Sequence, residues 1–189
     1  MKSRKSVKKV TESYLENVAR FYLDRFSATE KGLQRYLTQK VNASAREYDT
    51  DPADGKNWIE ILIVTLREQG YLNDGQYALS RSRSRLRKGN SLRAIAQDLK
   101  FKGVPEKLAQ DAISALKVDH SDPDLKAALL YARRRRLGPY RLPEARDINH
   151  DKDLAALARR GFGFELIQKI LRSTGIEQLE DEAKIFDQL

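Results

Sequence analysis

Arginine is the residue type in this chain whose clustering indicates a chemical role. Four arginines are consecutive, Arg133 to Arg136, in the stretch YARRRRLGPYR. A guanidinium group binds a carboxylate or a phosphate through two parallel hydrogen bonds, so the chemistry on offer is anion recognition. Successive helical residues step by about 100° around the axis. The four arginines therefore cannot all share one solvent face, and we expect at least one to meet a neighbour or a partner.

A second basic run, SRSRSRLRKGN, precedes the first by about forty residues. On a helix, Arg81, Arg85 and Lys88 form one row, and Arg83 and Arg87 form another. Asp98 is the only acid between Arg81 and Lys102, so we expect little local neutralisation and an external anion as partner. The candidate binding residues are Arg81, Arg83, Arg85, Arg87, Lys88, Arg93, Arg133, Arg134, Arg135, Arg136, Tyr140 and Arg141.

One alternative to this hypothesis stays open. Flanking acids such as Asp122 and Glu144 could partly compensate the arginine run, which would then be a solvated charge run. Tyr140 is included because it lies between Pro139 and Arg141 in a predicted loop, where it has less obvious packing to do than the other aromatic residues.

Motifs for catalysis are missing from the sequence. It contains neither a glycine-rich phosphate loop nor a nucleophile elbow, and its two histidines, His120 and His150, stand beside aspartates in predicted loops. The acidic clusters at 49–54 and 180–182 are interpreted as solvated faces. We therefore expect no enzyme activity, no metal site and no cofactor.

Composition narrows the class of partner. The chain has 189 residues, a net charge of +9 and an isoelectric point near 9.7, which favour nucleic acid, an anionic membrane or an acidic protein surface. The absence of cysteine excludes a disulfide scaffold and fits a reducing compartment. Neither a signal peptide nor an apolar run of bilayer length is visible, so we expect a cytoplasmic protein.

Apolar residues recur at helical spacing almost throughout, which predicts an all-α fold. In GNSLRAIAQDLKFKGVPEKLAQDAISAL, Asn90 or Ser91 can cap a helix that Lys102-Gly103 closes, and Pro105 can begin the next one. The pattern returns when the sequence is shifted by 62 residues in one direction and by 58 in the other. We therefore predict three tandem three-helix repeats, resembling helix-turn-helix units, in an elongated array.

The predicted organisation is as follows. A basic tail, 1–13, precedes repeat one, 14–75, whose acidic insert, 42–57, is interpreted as an exposed loop or an extended helix end. Repeat two is 76–118. Repeat three, 119–189, contains a surface loop, 138–152, and an acidic C-terminal helix with Ile176, Leu179, Ala183 and Phe186 on its apolar side. No large apolar face is left over, so we expect a monomer.

The helix, glycine turn and helix around Gly103 also match a helix-turn-helix DNA reader. The second helix of that motif would have to approach phosphates, yet its outward residues, Glu106, Lys107, Gln110 and Asp111, are nearly neutral as a set. Site-specific reading is therefore not favoured. Weak, sequence-independent contact with DNA stays open.

The stretch LREQGYLNDGQYALSRSRSRLRKGNSLRAIAQDLKFKGV resembles the central signature of the RecX family, in which G-Y-L-[ND]-D leads into a basic helix and then into a helix closed by K-G-[VI]. The stretches RRRRLGPYR and KDLAALARRGF resemble its alphaproteobacterial form. The chain departs from the pattern at Gly75-Gln76-Tyr77-Ala78 and at Lys40-Val41, where repeat one lacks the Lys-Gly closing pair.

The resemblance implies a regulator without catalysis of its own. Members of the family bind the RecA recombinase filament on single-stranded DNA, lie in its groove, and suppress its ATPase, strand-exchange and coprotease activities, which modulates DNA repair and the SOS response. The basic first helix of repeat two and the arginine run of repeat three are the positions that carry over. The alternative is an autonomous, sequence-independent DNA-binding protein that competes for DNA.

Overall fold

The computed structural model describes residues 7–173 and 175–183. Within these residues, all of the regular secondary structure is helical. Its α-helices are α1 Glu12–Leu23, α2 Glu30–Glu47, α3 Pro52–Glu68, α4 Asp74–Arg87, α5 Leu92–Lys102, α6 Glu106–Asp119, α7 Pro123–Arg135, α8 Arg146–Ala158, α9 Phe164–Leu171 and α10 Ile176–Glu182. Two short 3-10 helices, Gly138–Tyr140 and Pro143–Ala145, lie between α7 and α8. The predicted all-α class is confirmed, and the repeat boundaries stay a prediction.

The chain divides into two compact units. Unit 1 consists of Met1–Tyr77 with Lys102–Pro105, and unit 2 consists of Ala78–Phe101 with Glu106–Leu189. In unit 1, α2 and α3 pack on α1 around buried Leu15, Leu33, Leu37, Ile59 and Leu66. Gly55 of α3 lies so close to Val41 of α2 that a Cβ atom there would meet the valine at 2.4 Å. The two helices therefore meet, although α2 lacks the Lys-Gly closing pair.

Unit 2 is built around α7, whose residues from Pro123 to Leu129 are buried apart from half-buried Asp124. Ile95 and Leu99 of α5 and Leu116 of α6 are also fully packed away from solvent. Of the two predicted caps of α5, Asn90 and Ser91, Ser91 is the one observed, since its Oγ accepts a hydrogen bond from the Ala94 N–H at 3.1 Å. The end of α5 is also as predicted, because Gly103 has a φ of +85°, a conformation that favours glycine.

The predicted acidic insert, 42–57, is mostly helical rather than an exposed loop. Helix α2 continues through Glu47 and α3 begins at Pro52, which leaves residues 48–51 between them. Asp51 caps α3 by accepting from the Ala53 N–H at 2.7 Å, and proline suits the first helical position. Of the two interpretations, the extended helix end is the correct one for 42–47.

The predicted surface loop, 138–152, is wrong for most of its length. The two 3-10 helices and the first half of α8 occupy this segment, and Gly138 and Pro139 are buried. Proline is tolerated in the first turn of a helix and disrupts only the later turns. Pro139 and Pro143 therefore fit the first turns of the two short helices. His150 therefore lies on α8 and not in a loop, whereas His120 follows the end of α6 as expected.

The predicted acidic C-terminal helix corresponds to α10. Leu179 and Ala183 are buried, while Phe186 lies outside the described residues. Glu182 of α10 accepts a hydrogen bond from Lys169 of α9 at 2.8 Å, which joins the last two helices.

Candidate anion-binding surface

Two arginines of the run SRSRSRLRKGN are neutralised inside unit 2. Arg81 of α4 makes a two-pronged salt bridge with Asp98 of α5, and Arg85 donates to the same carboxylate at 2.9 Å. The Asp98 side chain is only 11% exposed, so this is an internal cluster. Arg83 pairs with Asp119 at 3.2 Å on the surface. The expectation of little local neutralisation is therefore wrong for this helix, because one aspartate serves two arginines that are one turn apart.

The end of α4 is different. Arg87 and Lys88 are exposed, and among residues 7–173 and 175–183 neither forms a salt bridge with a carboxylate. Gly89 follows with a φ of +75°, and a Cβ atom there would meet the Tyr131 Cβ at 2.5 Å. This close approach places the end of α4 against the end of α7.

The four consecutive arginines end α7 and are all exposed. Arg136 stops the helix in the left-handed conformation, with a φ of +52°. Arg134 turns back and donates to the Lys88 carbonyl at 2.8 Å, so one arginine does meet a neighbour, as the helical geometry requires. Cations are stabilised near helix C-termini, where unpaired carbonyls carry partial negative charge.

Arg160 at the end of α8 is a further member of this surface that the sequence hypothesis missed. Its guanidinium lies over the Tyr131 ring at 4.3 Å from the centroid, and that of Arg134 lies at 5.9 Å from the same centroid. Arg160 also donates to the Asn90 side chain at 3.4 Å. The shift of 58 residues aligns Arg160-Gly161 with Lys102-Gly103, and this alignment is the one signal for Arg160 in the sequence. We call the group Arg87, Lys88, Arg133, Arg134, Arg135, Arg136 and Arg160 the cationic surface.

The cationic surface does not include three other candidate residues, Arg93, Tyr140 and Arg141. Arg141 donates twice to Asp153, at 2.7 and 2.8 Å, and the aspartate is 1% exposed. This hydrogen bonding raises the pKa of the Arg141 guanidinium. Asp153 also accepts from the Gly138 N–H at 2.7 Å, so the pair fixes the segment between α7 and α8. Arg93 is exposed at the start of α5, and no contact places it within the cationic surface.

Tyr140 is half-buried rather than free in a loop. Its hydroxyl donates to Glu180 of α10 at 2.7 Å, and burial, followed by the neighbouring carboxylate, raises the pKa of the tyrosine above its ordinary value. The contact attaches α10 to the segment after α7. Tyr140 is therefore a packing residue that contacts α10, which the sequence pattern did not indicate.

The histidines do not assemble a site. His150 lies within 3.4 Å of the Asp151 carboxylate on α8, while partial burial and the nearby Lys126 lower the pKa of His120. Over 7–173 and 175–183, no three side chains of the metal-binding types converge. None of the helices in those ranges is apolar over a length that would cross a bilayer.

The chain is similar to known proteins in sequence and in fold. A family model described as the second three-helix domain of RecX matches residues 73–113, the part that contains α4 and α5. Two solved structures are similar in fold: a RecX from Lactobacillus salivarius, with a TM-score of 0.59 and 22% identity over 86% of this chain and 96% of that one, and a regulatory protein RecX, with a TM-score of 0.56 and 22% identity over 85% and 71%.

Two curated proteins are similar over almost their whole lengths. The regulatory protein RecX of Myxococcus xanthus is 39% identical over 170 residues, which cover 89% of this chain and 90% of that protein. The regulatory protein RecX of Agrobacterium fabrum is 34% identical over 169 residues, covering 89% and 87%. At this identity and coverage, the chain belongs to the RecX family of regulatory proteins.

Proposed function

We propose that this protein is a negative regulator of the RecA recombinase that binds in the groove of the RecA filament on single-stranded DNA. Binding there inhibits the ATPase, strand-exchange and coprotease activities of the filament, and so modulates DNA repair, recombination and the SOS response. The protein acts as a cytoplasmic monomer and catalyses no reaction itself. Membership of the RecX family supports this proposal, since the similar proteins are regulators by name.

The cationic surface is the observation that carries the proposal. It brings exposed guanidinium groups from the end of α7 next to Arg87 and Lys88 at the end of α4. Among the described residues, Arg134, Arg135 and Arg136 form no salt bridge with a carboxylate. Each can therefore pair with an acidic side chain of the recombinase or with a phosphate of the bound strand.

The second candidate function is autonomous binding of DNA, without sequence preference and by competition with the recombinase. The same exposed arginines favour it, because a guanidinium group accepts a phosphate as readily as a carboxylate. The two functions differ in salt dependence. Binding to phosphates alone releases counterions and weakens steeply with added salt, whereas contacts with a protein filament persist better.

The decisive experiment titrates the protein, well below one copy per recombinase subunit, into a single-strand-dependent ATPase assay of the cognate recombinase. We expect a marked fall in hydrolysis that persists when DNA is in excess. If hydrolysis changes only once the protein has saturated the DNA itself, the competing function is the correct one.

The double variant Arg134→Glu/Arg135→Glu should lower the affinity for the filament at least about tenfold at near-physiological salt, since each reversal turns attraction into repulsion. Helix content should stay nearly unchanged, because both side chains are exposed and Arg134 loses only a surface hydrogen bond to the Lys88 carbonyl. The matched control is Lys100→Glu/Lys107→Glu, which changes the net charge equally at exposed positions of α5 and α6. Equal affinities of the two variants would contradict a role for the cationic surface.

A further inference from the structure

Unit 1 contains a groove that the proposed function does not use. The groove encloses about 730 Å³ between α1, α2 and the extended residues before α1. Tyr14, Val18 and Phe21 follow one another at helical spacing along the α1 wall, and Tyr36, Lys40 and Ala43 do so along the α2 wall. Seven residues of helix rise by about 10 Å, so the groove can receive about two turns of a partner helix.

The groove is already formed in the free chain. The Val10 N–H donates to the Ser44 hydroxyl at 2.9 Å, and the Tyr48 hydroxyl donates to the Val7 carbonyl at 2.8 Å. These bonds attach the segment before α1 to the end of α2 and so fix the third wall. A groove that needs no ordering on binding loses less entropy when it is filled.

The charges along the groove are of one sign. Among the described residues, its lining includes Lys8 and Lys40 and no carboxylate. Between the lysines the lining is mostly apolar, and Phe21 is 59% exposed. An occupant that complements this lining has apolar side chains on one face and carboxylates at its flanks.

The aromatic rings of the groove favour a protein occupant over nucleic acid. Binding of single strands relies on bases stacking on open ring faces. Here Tyr36 is stacked on Tyr22 at 4.6 Å and has Lys40 at 5.2 Å from its ring, while Arg25 lies 3.9 Å from the Phe21 ring. These contacts occupy faces of the Tyr36 and Phe21 rings that a base would otherwise stack on, so the lining suits an apolar side chain better than a stacked base.

Segments of the chain itself are poor occupants. The acidic helix α10 has the right composition, yet Leu179 is buried and Glu180 and Glu182 are bound to Tyr140 and Lys169. Residues 1–6 have the sequence MKSRKS, which is cationic like the groove. The occupant is therefore a segment of another protein.

We propose that this groove binds an acidic amphipathic helix of the recombinase, as a second contact in addition to the cationic surface. The inference rests on the proposed function, which supplies the partner. Two contacts in one chain raise the overall affinity because the second forms at a high effective concentration. Loss of the groove contact should therefore weaken filament binding while leaving the cationic surface intact.

The test uses the full chain and a preassembled recombinase filament on single-stranded DNA. Phe21 is replaced by the photocrosslinker p-benzoylphenylalanine, which preserves its aromatic ring. The same replacement at Phe26, which is 58% exposed but does not line the groove, is the control. We expect a protein adduct from position 21 that maps to an acidic amphipathic helix of the recombinase, and a much weaker one from position 26. An adduct with the DNA, or equal adducts from both positions, would overturn the proposal.

A charge reversal provides the second measurement. Lys8→Glu/Lys40→Glu should weaken filament binding about tenfold, and the control Lys9→Glu/Lys56→Glu should leave it unchanged. Circular dichroism verifies that all variants fold. If the wild-type chain binds the filament and both double variants bind equally well, only the groove proposal fails. If the wild-type chain does not bind the filament at all, the proposed function fails with it.

Discussion

The start of α2 in unit 1 and the start of α5 in unit 2 receive similar contacts from different parts of the chain. Thr29 precedes α2 and Ser91 precedes α5, and each caps its helix, by accepting from the Gly32 N–H at 2.9 Å and the Ala94 N–H at 3.1 Å. The N–H of the residue directly after each cap donates to an aspartate distant in sequence. Glu30 donates to Asp74 at 2.9 Å, and Leu92 donates to Asp124 at 2.7 Å.

The end of a later helix completes each set. In unit 1 the Thr29 hydroxyl donates to the Lys102 carbonyl at 2.7 Å, and in unit 2 the Ser91 N–H donates to the Arg160 carbonyl at 3.1 Å. A glycine with positive φ follows each carbonyl, Gly103 and Gly161. The sequence shift of 62 residues that aligns Thr29 with Ser91 thus corresponds to a shared three-dimensional contact.

The difference between the two lies in the side chain of the closing cation. In unit 2 the side chain of the closing residue, Arg160, extends over Tyr131 into the cationic surface. In unit 1 the closing residue is Lys102, and its carbonyl also accepts a hydrogen bond from Arg35 at 3.1 Å. Each closing carbonyl therefore accepts a hydrogen bond from the cap residue of the earlier helix, from the Thr29 hydroxyl in unit 1 and from the Ser91 N–H in unit 2. Only the closing residue of unit 2, Arg160, belongs to the cationic surface. Stability and binding therefore depend on different atoms of the closing pair Arg160-Gly161, the backbone for stability and the Arg160 side chain for binding.

The largest effect is expected at the closing glycine of unit 2. Gly161 has a φ of +91°, and a Cβ atom there would meet the Ser91 Oγ at 2.5 Å and the Ala94 Cβ at 3.0 Å. Gly161→Ala should therefore lower the free energy of unfolding by about 3 kcal/mol, from the unfavourable backbone conformation together with the clash. Urea titration followed by circular dichroism measures the loss.

The control for this variant is Gly70→Ala. Gly70 has a similar φ of +79°, but its Cβ atom would meet nothing within 4 Å. The control should lose about 1 kcal/mol, from the backbone conformation alone. Gly103→Ala, where the clash is with the side chain of exposed Lys31, should lie between the two. Three equal losses would mean that packing at these glycines contributes nothing.

Capping hydroxyls give the next largest effect. Thr29→Val removes both the cap and the hydrogen bond to Lys102, so it should cost about 2 kcal/mol, whereas Ser91→Ala removes the cap alone and should cost about 1 kcal/mol. Thr29→Ser keeps the hydroxyl and serves as the control, with a smaller loss than Thr29→Val. If Ser91→Ala were the more damaging variant, the shared contact would be stronger in unit 2 than its hydrogen bonds indicate.

The local signals in the sequence predicted much of this framework. Ser91 as a cap, Gly103 as a helix end and the apolar spacing of α5 all depend on neighbours within a few residues, and the structure agrees with each. The segment 138–152 was mispredicted as a loop because Gly138, Pro139 and Pro143 are compatible both with a loop and with short helices. Buried Asp153, which accepts from Gly138 and Arg141, decides between the two, and its effect is not local.

The candidate site was harder to predict for the same reason. Composition and spacing identified the arginines, but which of them are neutralised depends on a carboxylate thirteen to seventeen residues away, as with Asp98 and the two arginines of α4. Exposed and internally paired arginines have identical sequence signals. Arg160 was overlooked because its position near Tyr131 arises from helix packing and not from a run of charges.

The smallest expected effect concerns the two aspartates that cap from a distance. Burial raises the pKa of both Asp74 and Asp124, and the backbone N–H that each accepts opposes this only in part. The folded chain therefore holds these protons more tightly than the unfolded chain does. The resulting stability is complete below the ordinary pKa of 3.8 and is lost as the pH rises through the raised value.

Asparagine keeps an oxygen to accept the N–H and carries no charge, so Asp74→Asn and Asp124→Asn should both be slightly more stable than the wild type at pH 7, by less than about 1 kcal/mol. A like charge also raises the pKa of each aspartate, Glu30 for Asp74 and Asp122 for Asp124. The gain should be larger at Asp74, because at Asp124 the cations Lys117 and Arg93 act against the increase. Free energies of unfolding measured from pH 4 to pH 7 test this. Variants less stable than the wild type throughout that range would show that the charge of the cap outweighs the cost of burying it.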